Sequence, residues 1–278
     1  MESSNNASKE NESDKQNPII DNLKSDYFLQ KLYDNMPKKK KFEIVKYNKR
    51  IQNRLNLSVK DYKEYSETFT PIEIEIITAK DKYGKFIKVN ENDKLYYHIY
   101  FNDNKEEIKN KYIIKEEDGV TKQEYYIEEE DKVTKIKLKI DYQVKSFNHL
   151  FSECKYIEHI NFKKFYRNIN SMSWMFRGCS SLKELNLNNF NTKNVTNMES
   201  MFEGCSSLKS LNLNNFHTNN VINMIKMFYR CSSLKELNLN NFNTKNVTDM
   251  YGMFDGCSND LKMQIKSENK NIKDSAFW

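Results

Sequence analysis

Residues 175–200, MFRGCSSLKELNLNNFNTKNVTNMES, decide the fold, because the chain repeats this stretch twice more. Residues 201–226 read MFEGCSSLKSLNLNNFHTNNVINMIK, and residues 227–252 read MFYRCSSLKELNLNNFNTKNVTDMYG. A constant period of this length is typical of solenoids, in which each unit buries its apolar residues only by stacking on its neighbours. The sequence therefore predicts an array of units with one continuous core.

Two apolar patterns divide each unit. The segment L-x-x-L-x-L, which ends at Leu211 and Leu213 in the second unit, alternates apolar and polar residues and predicts a short strand with one buried face. Val195, Met198 and Phe202 follow a three-then-four spacing, which favours one face of a short helix. Each unit is therefore predicted to run strand, turn, helix, turn.

The pattern weakens on both sides of these three units. A degenerate copy precedes them between Phe151 and Met172, and the alternating residues 136–140 could form the strand of a capping coil. After Cys257 the motif is lost. Atypical ends of this kind keep a solenoid soluble.

The longer string M-F-x-x-C-x-S-L-x-x-L-x-L-x-x-F-x-T-x-N-V-x-x-M closely resembles the repeat of the BspA-like leucine-rich repeat family of surface proteins. The resemblance covers roughly Val144 to Ser267. It implies a strand-lined, curved solenoid that binds proteins or surfaces and has no known chemistry. It also implies, in many members, a secreted or cell-surface location.

The remaining segments differ from the repeats in composition. Residues 1–17 are polar and predict a disordered tail, and residues 18–67 have helical spacing and many basic side chains. Residues 68–142 alternate strongly and predict an antiparallel β unit with the N-terminal solenoid cap, including a hairpin turn at Asp118-Gly119. The solenoid occupies residues 143–267, and residues 268–278 form a C-terminal tail or cap. The predicted fold class is therefore α+β: an N-terminal helical segment and a small antiparallel β unit, followed by a short leucine-rich-repeat solenoid of strand-turn-helix coils.

The formal net charge of +6 is concentrated in the helical segment. The favoured interpretation of its run of bases is a solvated helix face and turn in a lysine-rich protein, and contact with an anionic surface is the weaker alternative. The run consists of Lys38, Lys39, Lys40 and Lys41. No nucleic-acid module accompanies the charge, so nucleic-acid binding is not expected. Residues 27–55 also resemble an F-box, which implies a ubiquitin-ligase substrate adaptor as an alternative function.

Sequence motifs for catalysis are absent. G-x-x-x-x-G-K-[ST], G-x-G-x-x-G and H-E-x-x-H do not occur, and the chain has only four histidines. All five cysteines fall at one repeat position without C-x-x-C spacing, so a buried stack is expected rather than a metal site. Neighbouring cysteines could form disulfides if oxidised. We therefore expect a protein that is not an enzyme and has no cofactor and no metal.

Polar residues at the centre of L-x-L point away from the core and predict a polar, concave strand face. Amides both donate and accept hydrogen bonds, which suits them to bind a protein partner, whose identity the sequence does not give. The alternative is a solvated face on which neighbouring amides bond each other. The predicted binding residues are Asn161, Glu184, Asn186, Asn188, Ser210, Asn212, Asn214, Glu236, Asn238 and Asn240.

The location is predicted from what the chain lacks. No apolar signal-peptide region occurs near Met1, and no run approaches the roughly 18 apolar residues of a membrane span. These features predict a cytoplasmic protein. The alternative, from the family resemblance, is an adhesion protein at the cell surface, if an export signal is missing from the sequence.

Overall fold

The structure, a computed structural model, describes residues 20, 23–45, 48–58, 60, 70–117, 119–141, 143–165 and 169–278. The chain divides into two compact parts, each with its own hydrophobic core. We call Met1–Phe69 the first unit and Thr70–Trp278 the second unit, and all the 26-residue repeats lie within the second unit. The predicted disordered tail lies outside the described residues. The predicted boundary between the β unit and the repeats, at residues 142–143, falls inside the second unit.

Three short helices form most of the described part of the first unit: α1 (Asp26–Asp34), α2 (Lys38–Val45) and α3 (Lys49–Arg54). The Ser25 hydroxyl accepts a hydrogen bond from the first turn of α1, and Asn48 Oδ1 accepts one from the first turn of α3. These side chains satisfy N–H groups that have no partner within a helix. The helices share a small core of Ile20, Leu29, Tyr33, Val45, Ile51 and Leu55.

The second unit is built mainly from three β-sheets. The strands in its described part are β1 (Ile72–Thr78), β2 (Gly84–Asn90), β3 (Tyr97–Phe101), β4 (Tyr112–Glu117), β5 (Val120–Ile127), β6 (Lys135–Ile140), β7 (Ile157–Lys164), β8 (Glu184–Asn186), β9 (Ser210–Leu211) and β10 (Glu236–Leu237). One sheet has the order β3-β6-β1-β7-β8 and a second has the order β2-β5-β4, while β9 and β10 form the third. The pairs β7–β8 and β9–β10 are parallel, and the other pairs are antiparallel.

Strand β1 lies at the centre of the five-stranded sheet because its alternating sequence gives it one buried face. Ile74 lies opposite Leu138 of β6 and Phe162 of β7, and all three side chains are buried. On the other face, Lys163 Nζ lies 2.6 Å from Glu75 Oε2. The start of the repeat region is thus joined by backbone pairing to a strand far earlier in the chain.

The β4–β5 hairpin confirms the predicted turn. Tyr112 pairs with Tyr125 and Glu117 with Val120, and Gly119 has a φ of 73°, which favours glycine. Asp118, the other predicted turn residue, lies outside the described residues.

A buried ion cluster lies beside this hairpin. Glu124 Oε2 accepts hydrogen bonds from Lys115 Nζ and Tyr126 Oη, and Oε1 accepts one from Lys85 Nζ. Burial acts to raise the pKa of Glu124, but these hydrogen bonds outweigh it and lower the pKa to about 2. The carboxylate therefore stays ionised and holds the Lys115 side chain against the sheet.

The predicted fold class is wrong, because the second unit is mainly β and residues 175–252, all of which the structure describes, contain no helix. The amide of Phe202 donates to the carbonyl of Met227 in the next unit, at 2.9 Å, whereas an α-helix would bond it to its own preceding turn. Ser200 and Gly204 have φ values of 50° and 72°, which lie outside the right-handed helical region. The predicted strand-turn-helix coils of a leucine-rich-repeat solenoid are therefore replaced by turns that hydrogen-bond from unit to unit.

Equivalent side chains of successive units nevertheless stack on one another. We call one set the phenylalanine row: Phe151, Phe176, Phe202, Phe228 and Phe254. Neighbouring rings in this row lie 5.6, 5.7, 5.4 and 5.5 Å apart, with planes within 9° of parallel. Isolated parallel bridges join Ser146, Ser171, Asn197, Asn223 and Asp249 along one side of the stack. The inward positions that the repeat predicts, such as Phe202 and Leu211, are buried.

Residues after the last repeat continue the stack with a different sequence. Phe254 N donates to Ala276 O at 2.7 Å, and the Phe277 ring stacks on Phe254 at 5.4 Å. The helix α4 (Asn259–Glu268) lies before this segment in the chain and buries Leu261 and Ile265. The end of the phenylalanine row is therefore covered.

Candidate binding face of the repeats

The predicted binding residues lie on one exposed surface, which we call the strand face. In β9 and the residues that follow it, Leu211 and Leu213 are buried, whereas Ser210, Asn212 and Asn214 are exposed. The same alternation exposes the equivalent side chains of the neighbouring units. Asn161 alone among the ten predicted residues is half-buried.

A recurrent turn orients the central asparagine of each unit. Asn212 Oδ1 accepts a hydrogen bond from Asn214 N at 3.0 Å, and Asn238 Oδ1 accepts one from Asn240 N at 2.9 Å. Asn186 bonds Asn188 N in the same way. Because the oxygen of each amide is held by the backbone, its NH₂ group is directed away at a fixed position.

The N-terminal half of the strand face is paired with itself. Asn186 Nδ2 donates to Asn161 Oδ1 at 3.1 Å, and His159 Nδ1 lies 3.1 Å from Glu184 Oε2. The backbone pairing of β7 with β8 continues beneath these side chains. This half matches the alternative in which neighbouring polar groups satisfy each other.

The C-terminal half of the strand face differs, because most of its side chains have no partner among the described residues. Asn212 Nδ2 donates to Asn188 Oδ1 at 3.3 Å. Beyond that contact, no hydrogen bond or ion pair to another described residue is made by the side chains of Asn214, Glu236 and Asn240 or by the NH₂ group of Asn238. Within the described part of the chain, these groups are therefore exposed and unpaired.

These unpartnered groups border an open groove of about 720 Å³, which we call the C-terminal groove. Its lining is formed by Ser210, Leu211, Asn212, Asn214, Lys235, Glu236, Leu237, Asn238, Asn240, Gln264 and Glu268. The last two belong to α4, so the helix forms one side of the groove and the ends of β9 and β10 form the other. Six of the ten predicted residues meet here.

Sequence reasoning missed Lys235, Gln264 and Glu268 as parts of this surface. Ser258, which accepts a hydrogen bond from Leu261 N at the start of α4, and the four-residue spacing of Leu261 and Ile265 could have predicted a helix. Nothing in the local pattern indicates that this helix lies beside β10.

Other asparagines of the repeat are structural. Asn241 Nδ2 donates to Asn214 O in the preceding unit at 2.9 Å, and Asn215 Nδ2 donates to Asn188 O. Asn189 Nδ2 lies 3.4 Å from Phe162 O. Asparagines that look equivalent in the sequence thus divide into a row that joins units and a row that faces solvent.

The five cysteines form a buried row and carry free thiols. Each thiol from the second onward donates to the carbonyl of a phenylalanine, as Cys205 Sγ does to Phe176 O at 3.2 Å. Burial raises the pKa of Cys179 to about 12 and that of Cys257 to about 11. Thiols in this state are poor nucleophiles and poor metal ligands.

No metal site is apparent in the part of the chain that the structure describes, where no three His, Cys, Asp or Glu side chains come together in a group that could hold an ion. The C-terminal groove contains no histidine and no cysteine.

The basic run in the first unit begins α2. Lys40 is exposed, and Lys41 Nζ donates to Asp34 O at 3.0 Å. The side-chain placements of Lys38 and Lys39 lie outside the description. The contact with an anionic surface remains a prediction.

Within the described ranges, no helix is both long enough and apolar enough to cross a membrane.

Comparison with known proteins places one similarity on the repeats. Residues 144–268 match the model of a family described as "Mycoplasma protein of unknown function, DUF285". No curated protein and no solved structure matches the chain. The match begins at Val144, covers the whole strand face and ends within the C-terminal groove at Glu268.

Proposed function

We propose that this chain is a non-catalytic interaction module that binds a protein partner in the C-terminal groove. The observation that carries the proposal is the difference between the two halves of the strand face. Polar groups of the N-terminal half bond each other, whereas Asn214, Glu236, Asn238 and Asn240 present donors and acceptors to solvent.

The arrangement of these groups supports recognition of a polar, extended surface. Interfaces between proteins carry about one hydrogen bond per 100–200 Å², so a row of oriented amides can supply several. The turns that hold Asn238 and Asn240 reduce the entropy that binding must remove, because these backbones are already ordered. Leu211 and Leu237 at the base of the groove add apolar contact.

The motif of the repeat supports the same proposal. Its resemblance to the BspA-like leucine-rich repeat family, whose members bind proteins or surfaces, lies over the segment that forms the groove. The absence of histidine and cysteine from the groove argues against acid–base or nucleophilic catalysis there.

Affinity capture with paired variants tests the proposal. The groove variant is Asn214→Ala/Asn240→Ala, which removes two side chains that make no internal hydrogen bond. The control is Asn194→Ala/Asn219→Ala, which removes two exposed amides of the same kind outside the groove. We expect proteins retained by the wild type and the control to be lost from the groove variant, since the two changes remove the same chemistry from different places.

A partner retained equally by both variants would contradict the proposal. If that partner includes ligase subunits and is lost when residues 18–67 are removed, the F-box-type adaptor would be favoured instead. Unfolding curves of both variants should match that of the wild type, which separates a lost contact from a lost fold.

A further inference from the structure

The outer edge of the three-stranded sheet carries backbone groups that no described residue bonds. Strand β4 is the outer strand in the order β2-β5-β4. Tyr126 N donates to Lys111 O at 3.2 Å, so the antiparallel alternation directs the backbone groups of Ile113 and Lys115 towards β5. Those of Tyr112, Ile114 and Glu116 point outward, and no described residue bonds them.

The first half of this edge strand carries exposed apolar and aromatic side chains. Tyr112 is 38% exposed, Ile113 48% and Ile114 59%. Natural edge strands are usually guarded by charged side chains, often lysine, or by proline or bulges. Lys115 does not guard this edge, because its Nζ is held 2.7 Å from the buried Glu124.

The charges of the strand are complementary to those of its own antiparallel copy. Lys109 and Lys111 precede the strand, and Glu116 and Glu117 form its C-terminal end. Lys111 also forms ion pairs with Glu128 and Asp131 of its own copy. An antiparallel copy places the basic end of each strand beside the acidic end of the other, whereas a parallel copy would bring like charges together.

The alternation of outward groups fits the same pairing. When two copies are centred on Ile114, Ile114 faces the partner's Ile114, and Tyr112 faces the partner's Glu116. The residues of these pairs have their backbone groups directed outward, so each of these pairs forms two hydrogen bonds, whereas Ile113 and the partner's Lys115 form the non-hydrogen-bonded pair between them. The exposed Ile114 side chains meet at the centre.

We propose that β4 pairs antiparallel with β4 of a second copy of this chain in the register centred on Ile114. Two three-stranded sheets then join into one six-stranded sheet, and the exposed edge of each copy is removed. The surface lies outside the C-terminal groove and does not depend on its function.

Cysteine cross-linking tests the register. In Ile114→Cys, the paired Cα atoms lie about 5.5 Å apart, within the range of about 4.4–6.8 Å for disulfides. The matched control is Ile113→Cys, which is similarly exposed. In this register, the Cα atom of residue 113 in one copy lies two residues, or about 6.8 Å, along the strands from residue 113 of the other copy, in addition to the separation between the strands. That distance is too long for a disulfide. The native thiols are buried and contribute little background.

We expect the full chain to sediment as a dimer as its concentration rises, and Ile114→Cys to cross-link at least about tenfold faster than Ile113→Cys. Ile114→Lys places two like charges opposite each other and should raise the dimer Kd by about tenfold or more. A monomer at every concentration, or equal cross-linking of the two cysteine variants, would overturn the proposal and leave β4 open to an extended segment of a different protein.

Discussion

The buried rows of the repeats, which are the phenylalanine row and the row of cysteines, have the same sequence period as the strand face. The two regions differ in how regularly their side chains contact one another. In the phenylalanine row, each ring makes the same contact with its neighbours from Phe151 to Phe254. On the strand face, Asn186 bonds Asn161, Asn212 bonds Asn188, and the NH₂ group of Asn238 bonds no described residue. Identical residues therefore give identical packing inside and different hydrogen bonding outside.

At core positions, the identity of the repeat units follows from the demands of stacking. A core position must match the units on both sides, because a gap or an overlap is felt by both neighbours. A surface amide depends on whichever side chain lies beside it, and that changes where β8 ends the five-stranded sheet and β9 begins another. The two ends of the strand face can thus differ in their unpaired polar groups without any change in the repeat.

Alkaline pH should destabilise the buried rows of the repeats more than any single substitution, because it ionises the cysteine thiols on unfolding. The folded-state pKa values of Cys179 and Cys257, about 12 and 11, lie above the value of about 8.5 for an unfolded thiol. The folded state therefore retains protons that the unfolded state releases, so stability is complete below pH 8.5 and falls as the pH rises towards 11. Urea unfolding across this range measures the fall. Burial also raises the pKa of Cys205, so Cys205→Ala should make the fall shallower. An unchanged slope in that variant would show that the buried thiol does not contribute.

Phe202→Ala should cost about 3–5 kcal/mol of unfolding free energy. The change opens a cavity between Phe176 and Phe228, whose rings lie 5.7 and 5.4 Å from that of Phe202. Tyr251→Ala, at an exposed position, is the control and should alter stability by no more than about 0.5 kcal/mol. Equal effects of the two changes in denaturant unfolding would contradict the distinction between core and surface.

Gly204→Ala tests the backbone conformation of the repeat, because the sign of its effect on stability differs between a turn of positive φ and a helix. At a φ of 72° an added Cβ should destabilise the unit by about 1–2 kcal/mol, although its nearest neighbours would be 3.6 Å away. Within a helix, the same change would stabilise by about 1 kcal/mol. An increase in stability would therefore support the helix that the residue spacing predicted.

The sequence predicted which residues are buried but not the backbone that buries them. Phe202 and Leu211 lie in the core as the repeat predicted, and the β4–β5 hairpin follows from its Asp-Gly turn. The helix prediction is wrong because turns in which two residues four apart have a positive φ, such as Ser200 and Gly204, bury the same three-then-four positions. Gly178 and Gly204, both just before a cysteine, were the available signal.

The long-range arrangement could not be predicted from local patterns. The pairing of β1 with β7 joins residues that no period relates, and α4 reaches the C-terminal groove through a segment that has lost the repeat motif. Alternation did predict the exposed asparagines, but it could not separate those that join units from those without a partner. That distinction depends on neighbours in space.

Two adjacent asparagines, one that joins repeat units and one that bonds no described residue, should differ in how much they contribute to the free energy of unfolding. Asn241→Ala removes a hydrogen bond of 2.9 Å to Asn214 O and should cost about 1 kcal/mol. Asn240→Ala removes a side chain that bonds no described residue and should stay within about 0.5 kcal/mol of the wild type. Thermal unfolding of the two variants side by side measures the difference, and the reverse order would contradict the assignment.

The most direct test of the proposed partner site in the C-terminal groove is the response of individual side-chain amides to a partner recovered by the capture experiment. In NMR spectra of the ¹⁵N-labelled chain, the NH₂ signals of Asn214, Asn238 and Asn240 should shift when the partner is added. The signal of Asn186, which is bonded to Asn161, should move little. Shifts confined to Asn186 and its neighbours, or none on the strand face at all, would contradict a partner site in the C-terminal groove.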